Sequence, residues 1–334
     1  KTQAEIELCG HAFEARLYAE DPSRNFLPAI GTLHHLDFPS EVLPGCLLRV
    51  ETGVRAGDAI SPFYDPMIAK LVVHGPDRAS ALAGLADALE ATEIAGSVTN
   101  AAFLVALARD AEFAAGEVDT GLIARRQEAL TASAEPTAET VARAALAASG
   151  AGEAAGSADP WSSLAGYAHF HPMARRVVLR RGEREIEALV AADAKGGFRI
   201  AADGATVTIR PGEGHERQPR AGGVRPPRAA RWPGHVTVFS DGAAFSFAVD
   251  DPFARAAEAE AGTASLRAPM PGLVKLVRAA AGDNVIKGQA LLVLEAMKME
   301  HTIAAPHDGV IAEIATEGAQ ITDGTVLVRF VETD

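Results

Sequence analysis

Cysteine is scarce in this 334-residue chain, which holds only Cys9 and Cys46. Two thiols cannot build a disulfide framework or, by themselves, a zinc site, and they suit a reducing, cytosol-like compartment. Long apolar stretches are also missing. No run of 18 or more apolar residues occurs, which excludes a membrane-spanning helix and, with it, a membrane partner. The start, KTQAEIELCGHAF, has no Met and neither the layout of a signal peptide nor the character of a transit peptide; residue 1 reads as a cut end of a longer chain. Positive charge is in deficit: 31 Lys and Arg face 44 Asp and Glu, a net of −13, which argues against a nucleic-acid binder.

What remains is an ordinary globular balance, 48% hydrophobic and 22% charged, in a chain long enough for two or three domains. The charge is uneven. Residues 161–233 carry 13 Lys and Arg against 7 Asp and Glu. A basic module inside an acidic chain reads either as an Arg-rich solvated sheet face or as a docking surface for an acidic partner.

Residues 1 to about 130 read as mixed α/β. Short strand-like pieces (AFEARLYA, GTLHHLDF, CLLRVETGV, IAKLVVHG) come first. Residues 77–94 then show helical spacing, with Leu82, Leu85 and Leu89 on one stripe and Asp77 as N-cap. A second helix is expected over 99–110. Beyond 130 the chain turns Ala-rich, opens a helix near Thr137 and decays into a Gly/Ala/Ser linker at 150–160. Residues 161–250 alternate like antiparallel strands, interrupted by a Pro/Arg loop, QPRAGGVRPPRAARWPG. A second linker is expected at 251–263.

The last 70 residues hold an internal repeat. The stretch 268-APMPGLVKLVRAAAGDNVIKGQALLVLE-295 recurs as 305-APHDGVIAEIATEGAQITDGTVLVRFV-331 with one gap. Two similar halves related by a pseudo-twofold axis explain it. Neither half alone can bury its apolar face, while the pair makes a flattened barrel. The junction between the halves is Ala296-Met297-Lys298-Met299, which puts the lysine at an exposed hairpin tip. An exposed amine on a rigid hairpin suits the anchoring of a prosthetic arm, and the flanking apolar methionines point to recognition.

Glu295-Ala296-Met297-Lys298-Met299 matches the attachment motif of biotin carboxyl carrier domains, with Ala268-Pro269-Met270-Pro271-Gly272 and Ala305-Pro306 to Gly309 where that family has its paired turns. The resemblance covers about 70 residues and implies biotin held covalently on Lys298, with Met297 and Met299 beside it. Lipoyl domains share the architecture but usually carry Asp-Lys-Ala at the tip. At the front, 10–31, 45–75 and 94–123 are similar to the C-terminal subdomain of biotin carboxylases. In that family the ATP-grasp part lies just upstream and supplies the phosphate loop, the ATP-binding lysines, the metal-binding glutamates and the base for bicarbonate; none of those motifs is in this sequence. ATP, Mg and bicarbonate are therefore expected only for the full-length enzyme.

Arg49, in Gly45-Cys46-Leu47-Leu48-Arg49-Val50-Glu51, matches the arginine that family members aim at the ureido oxygen of biotin, where a fixed guanidinium stabilises developing negative charge. Its plain alternative is a strand arginine paired with Glu51 or Asp65. Tyr64 and Asp65 match a family loop near the same pocket, unless Asp65-Pro66 is a simple turn. Thr120 falls in a segment that runs along the adenine edge in the family, or else caps a helix. His11, His34 and His35 have no carboxylate or cysteine spacing that supports a metal, so none is expected.

The implied fold is multidomain α+β: a biotin carboxylase C-terminal subdomain over 1–130, a helix plus antiparallel β-barrel (BT-like) docking module over 135–260, and an all-β flattened barrel biotinyl (hammerhead) domain over 264–334. The stretches 112–123, 159–171 and 299–330 resemble 3-methylcrotonyl-CoA carboxylase biotin-containing subunits, with propionyl-CoA and geranyl-CoA carboxylases close. The resemblance implies a carboxyltransferase β subunit, a biotin protein ligase and the absent ATP-grasp region as partners. It also implies a cytoplasmic setting in a bacterium or the mitochondrial matrix in a eukaryote. A non-catalytic carrier and scaffold is the competing class.

Overall fold

The structure is a computed structural model that describes residues 2–3, 7–61, 64–151, 173–193, 197–210, 227–240, 242–250, 265–268, 272–296, 299–321 and 325–331. The expected linkers except Gly150 and Ala151, most of the Pro/Arg loop, Pro269 to Pro271, Met297 and Lys298 lie outside the described residues. The chain divides into two compact units, residues 1–58 with 67–251, and residues 59–66 with 252–334.

The larger unit opens with β1 (His11–Tyr18), β2 (His35–Asp37), β3 (Leu47–Thr52), β4 (Met67–Gly75), α1 (Arg78–Glu90) and β5 (Glu93–Ala95), followed by α2 (Ala101–Ala108), α3 (Ala111–Ala115) and α4 (Leu122–Leu130). Strands β1, β4 and β3 form an antiparallel sheet in that order. Helix α1 begins as its sequence dictates. The Asp77 carboxylate accepts from the Ser80 amide at 2.8 Å, which holds its pKa below the ordinary aspartate value. The Leu82, Leu85 and Leu89 stripe is buried. Helix and sheet approach closely at Gly84, where a Cβ would stand 3.0 Å from Val73 Cγ1 and 3.2 Å from Cys46 Sγ. Helix α2 realises the expected second helix.

The second part of this unit is α5 (Ala138–Ser149) and an antiparallel sheet of seven strands: β6 (Ala174–Arg181), β7 (Arg184–Ala192), β8 (Phe198–Ala202), β9 (Ala205–Ile209), β10 (Arg228–Trp232), β11 (His235–Ser240) and β12 (Ala243–Val249). Their order is β9-β8-β7-β6-β12-β11-β10. All seven strands touch α5, so the sheet curls around the helix. The alanines make this possible: Val141, Ala142, Ala144 and Ala145 meet Leu179, Ile186, Val190, Ile200, Val236 and Phe247 in one buried cluster, and small side chains let strands close on the helix from several directions. Inward alternation is strict in β7, where Ile186, Ala188 and Val190 are buried and their neighbours are not.

Both ends of α5 are capped. Thr137 accepts from the Thr140 amide at 3.2 Å. At the other end Gly150 turns left-handed (φ 67°) and Arg175 donates to the Ser149 carbonyl at 2.9 Å. Thr137→Ala is expected to cost about 1 kcal/mol of stability, read as a lower midpoint in chemical unfolding; an unchanged midpoint rejects the cap. One sequence expectation needs correcting. The tail of the Pro/Arg loop, RAARW, is strand β10, fully paired with β11 through Trp232↔His235 to Arg228↔Phe239. Its two arginines fall on opposite faces, Arg228 with Ala230 and Trp232 on one and Arg231 with Ala229 on the other, so the segment shows no apolar alternation.

The smaller unit contains β13 (Ser265–Arg267), β14 (Gly272–Val277), β15 (Asn284–Val285), β16 (Ala290–Ala296), β17 (Met299–Ala304), β18 (Gly309–Ile314), β19 (Gln320–Ile321) and β20 (Val326–Phe330). Its two four-stranded sheets run β13-β20-β18-β15 and β17-β16-β14-β19. Exchanging the two halves of the repeat, β13–β16 with β17–β20, converts one order into the other. The hydrogen bonds repeat with the strands: Gly282 N donates to Ile311 O at 2.7 Å and Gly318 N to Val274 O at 2.8 Å, while Arg278 N donates to Leu291 O at 2.8 Å and Ala315 N to Leu327 O at 2.7 Å. Buried residues come in equivalent pairs, Ala268 with Ala305, Val274 with Ile311, Val285 with Ile321 and Leu291 with Leu327. Each sheet takes strands from both halves, so neither half has a complete core.

Candidate functional site

Strands β16 and β17 form a hairpin whose register runs from Leu292↔Ile303 to Ala296↔Met299. Only Met297 and Lys298 stand between the last paired residues. Beneath the hairpin Leu292, Leu294 and Ile303 are buried in the core of the unit, and Glu295 on β16 pairs with Lys275 on β14 at 2.8 Å. The base of the turn is thus fixed by ladder hydrogen bonds and a buried apolar layer. The expected exposed tip itself, Met297 and Lys298, lies outside the described residues.

Arg49 lies on β3, and its side chain is 68% exposed. Its Nε is 3.0 Å from Glu51 Oε1, and the other carboxylate oxygen of Glu51 takes Lys70 Nζ at 2.6 Å. The Glu51↔Lys70 register between β3 and β4 brings these together. The Lys70 hydrogen bond and the charge of Arg49 hold the Glu51 carboxyl below the usual glutamate range. The site is therefore a charged triplet on an open sheet face, with a guanidinium held at one end by a neighbour two residues on. Glu51 as the partner of Arg49 was one of the sequence alternatives; Lys70 was missed, and its signal was the pairing of LLRVET with IAKLVVHG.

Tyr64 is 81% exposed, and Asp65 beside it is exposed too. Thr120 is exposed in the turn before α4 and does not cap that helix, whose N-cap Gly121 has no side-chain cap; the turn is held by Asp119, which accepts from the Gly121 amide at 2.7 Å and binds Arg125 at 2.8 Å. Four arginines of the seven-stranded module have carboxylate partners. Arg176 pairs with Glu187, Arg180 with Asp250, Arg181 with Glu135 and Arg184 with Asp203.

Among the histidines, His35 is placed beside two carboxylates that sequence spacing did not reveal. Its ring, Asp37 and Glu93 bring their ligand atoms within 4.8 Å of one another. Glu93 Oε1 also takes Arg228 Nη1 at 2.7 Å. A guanidinium on the same carboxylate supplies the positive charge that a cation would.

Residues 14–125 match the family described as Biotin carboxylase C-terminal domain, and residues 264–330 the family described as Biotin-requiring enzyme. Biotin, held covalently, is the cofactor of that second family. Over 93% of its length the chain is 35% identical to the methylcrotonoyl-CoA carboxylase subunit alpha of Dictyostelium discoideum, of which it covers 47%. It is 36% identical over 99% of its length to the Rattus norvegicus protein of that name, covering 48%. It is 31% identical over 98% to the propionyl-CoA carboxylase alpha chain of Ruegeria pomeroyi, covering 52%. Both matched regions coincide with the elements that carry Arg49 and the Lys298 hairpin, and the chain spans about half the length of these relatives. No helix among the described residues is long and apolar enough to cross a membrane. The chain carries a region of the biotin carboxylase C-terminal domain family and a region of the biotin-requiring enzyme family, and over nearly all its length it is similar to acyl-CoA carboxylase alpha subunits.

Proposed function

We propose that this chain is the biotin-carrying portion of an acyl-CoA carboxylase α subunit, with Lys298 as the attachment point. The observation that carries the proposal is the hairpin register: Ala296 pairs with Met299 on a buried base, leaving Met297 and Lys298 as the link. A primary amine on a fixed base suits a group joined by an amide bond, and Met297 and Met299 flank it as recognition elements. Bound there, biotin supplies a ureido nitrogen that takes up a carboxyl group at one site and gives it up at another. Tethering replaces free diffusion by a high effective concentration at both.

Arg49 is the catalytic residue of the front module in this reading. Its guanidinium, steadied by Glu51, presents fixed donors to negative charge developing on the ureido oxygen. Tyr64 and Asp65 act as positioning residues, and Thr120 lies on the ATP rim. The ATP-grasp part, with ATP, Mg and bicarbonate, belongs to the full-length chain. In that chain Arg49→Ala is expected to lower bicarbonate-dependent ATP turnover with biotin by on the order of 10²–10³-fold. Its melting temperature should stay put, because the side chain is largely in water. Turnover within twofold of the parent would remove Arg49 from the chemistry.

The modules divide as 1–130, 135–260 and 264–334. The sheet curled around α5 supports a barrel-type docking module for the carboxyltransferase β subunit. The reciprocal sheets support a hammerhead biotinyl domain read by a biotin protein ligase. The preferred acyl-CoA is 3-methylcrotonyl-CoA, on the strength of the relatives' names. Carboxylation assays of the full-length α chain with its β subunit test this: 3-methylcrotonyl-CoA should exceed propionyl-CoA in kcat/KM by at least about tenfold, and the reverse order would reassign the substrate.

A further inference from the structure

The larger unit joins its two parts at one buried carboxylate. Glu93, on β5 of the front part, is 6% exposed. One oxygen lies 3.0 Å from His35 Nε2 on the neighbouring strand β2. The other lies 2.7 Å from Nη1 of Arg228, which is on edge strand β10 of the seven-stranded sheet. Rings stack on either side of this pair. His35 lies on Phe239 with centroids 5.4 Å apart, and His34 lies on Trp232 at 4.8 Å, with His235 on Trp232 at 4.1 Å. Trp232 is held in turn by its Nε1–H to Thr237 at 3.0 Å. At Gly242 the two parts come so close that a Cβ would stand 3.1 Å from Glu90 Cγ and Val105 Cγ2.

We infer that Glu93 is a latch residue that fixes the seven-stranded module on the carboxylase-type module, with Arg228 as its strike. A carboxylate this deeply buried needs its charge met. Among the described residues of the front part, His35 is the one hydrogen-bonded to it, and Asp37 beside that ring brings a second carboxylate into the cluster. The guanidinium from the other part completes the compensation, so separating the modules leaves a desolvated anion behind. The contact works as a whole or not at all, and it sets one orientation between the face that carries Arg49 and the module proposed to dock the partner subunit. Arg228 is a positioning residue and Arg suits it: the planar fork can hold the carboxylate while its stem lies against the sheet.

Amide hydrogen exchange on the full chain tests the latch. In Arg228→Met, exchange at the amides of β5 and β10 should speed up by about tenfold or more, while α5 and β7 keep the parent rates. Adding Glu93→Gln to Arg228→Met should slow exchange again, because the uncompensated charge is gone. Arg228→Lys, which keeps the charge, should stay within about threefold of the parent. Uniform acceleration across the whole module, or none at β5, would overturn the latch. So would stoichiometric zinc in the purified parent chain that Glu93→Gln removes, since the carboxylate would then serve a cation.

Discussion

Lys298→Arg removes biotin from the chain completely: after co-expression with a biotin ligase, the intact mass of the parent rises by one biotinyl increment and that of the variant does not. The difference is chemical. Amide formation needs an amine that can lose its proton and attack. Lysine does this at accessible cost, whereas a guanidinium stays protonated and delocalised across the working pH range. Arginine keeps the charge and nearly the length of lysine, so the hairpin's pairing from Leu292↔Ile303 to Ala296↔Met299 should persist. The other lysines of this unit offer no substitute. Lys275 is tied to Glu295 on a strand, and the Lys287 backbone is held in a different turn by Asp308. An increment that survives in the variant would move the attachment elsewhere. A lipoyl increment on the parent would sink the biotin reading and the role given to Arg49 together.

Leu294→Ala has the largest expected effect on stability, a loss of about 2–5 kcal/mol from the C-terminal unit. Leu294 is fully buried on β16 and is paired with His301 on one side and Val274 on the other. Its truncation opens a cavity where both sheets meet, and neither four-stranded sheet can close on it without giving up its contacts with the other. A unit of this size has little reserve, so such a loss removes most of its margin. If a ligase reads the folded hairpin, as proposed, biotin incorporation should fall in step with the folded fraction. Leu327→Ala is the control. Leu327 is the repeat partner of Leu291 in the other sheet, is equally enclosed, and should cost about the same. Full incorporation into a variant whose unit has melted would mean that the local sequence is the recognition signal.

The sequence made visible those features whose causes are local. Helix α1 announced itself by Asp77 and a leucine every three or four residues, and α5 by Thr137 and an alanine-rich stripe. The repeat was legible because two copies of one pattern cannot fold apart, and the reciprocal sheets are its direct outcome. The lysine motif was legible for the same reason, since it fell at the seam. What stayed hidden depends on partners far along the chain. Strand β10, RAARW, places Arg228, Ala230 and Trp232 on one face and Ala229 and Arg231 on the other, so neither face reads as apolar and only β11 explains it. Glu93 is 58 residues from His35 and 135 from Arg228, and nothing near it marks it as buried. The basic module read either as a solvated face or as a docking surface, and the count could not show that Glu135 and Asp250, outside the counted stretch, pair with Arg181 and Arg180.

The exchange of halves in the C-terminal unit has a consequence for how a carrier acquires its single tip. Under that exchange the β16–β17 turn corresponds to the gap between β20 and β13, which is where the chain leaves and enters the unit. A closed ring of eight strands would have two equivalent turns and no reason to mark either one. Cutting the ring at one of them makes the other unique. A circular permutant joined from β20 to β13 and opened between Ala296 and Met299 keeps every buried pair described above. The address proposed for the prosthetic group then belongs to where the ring is cut, while the core is indifferent to that choice.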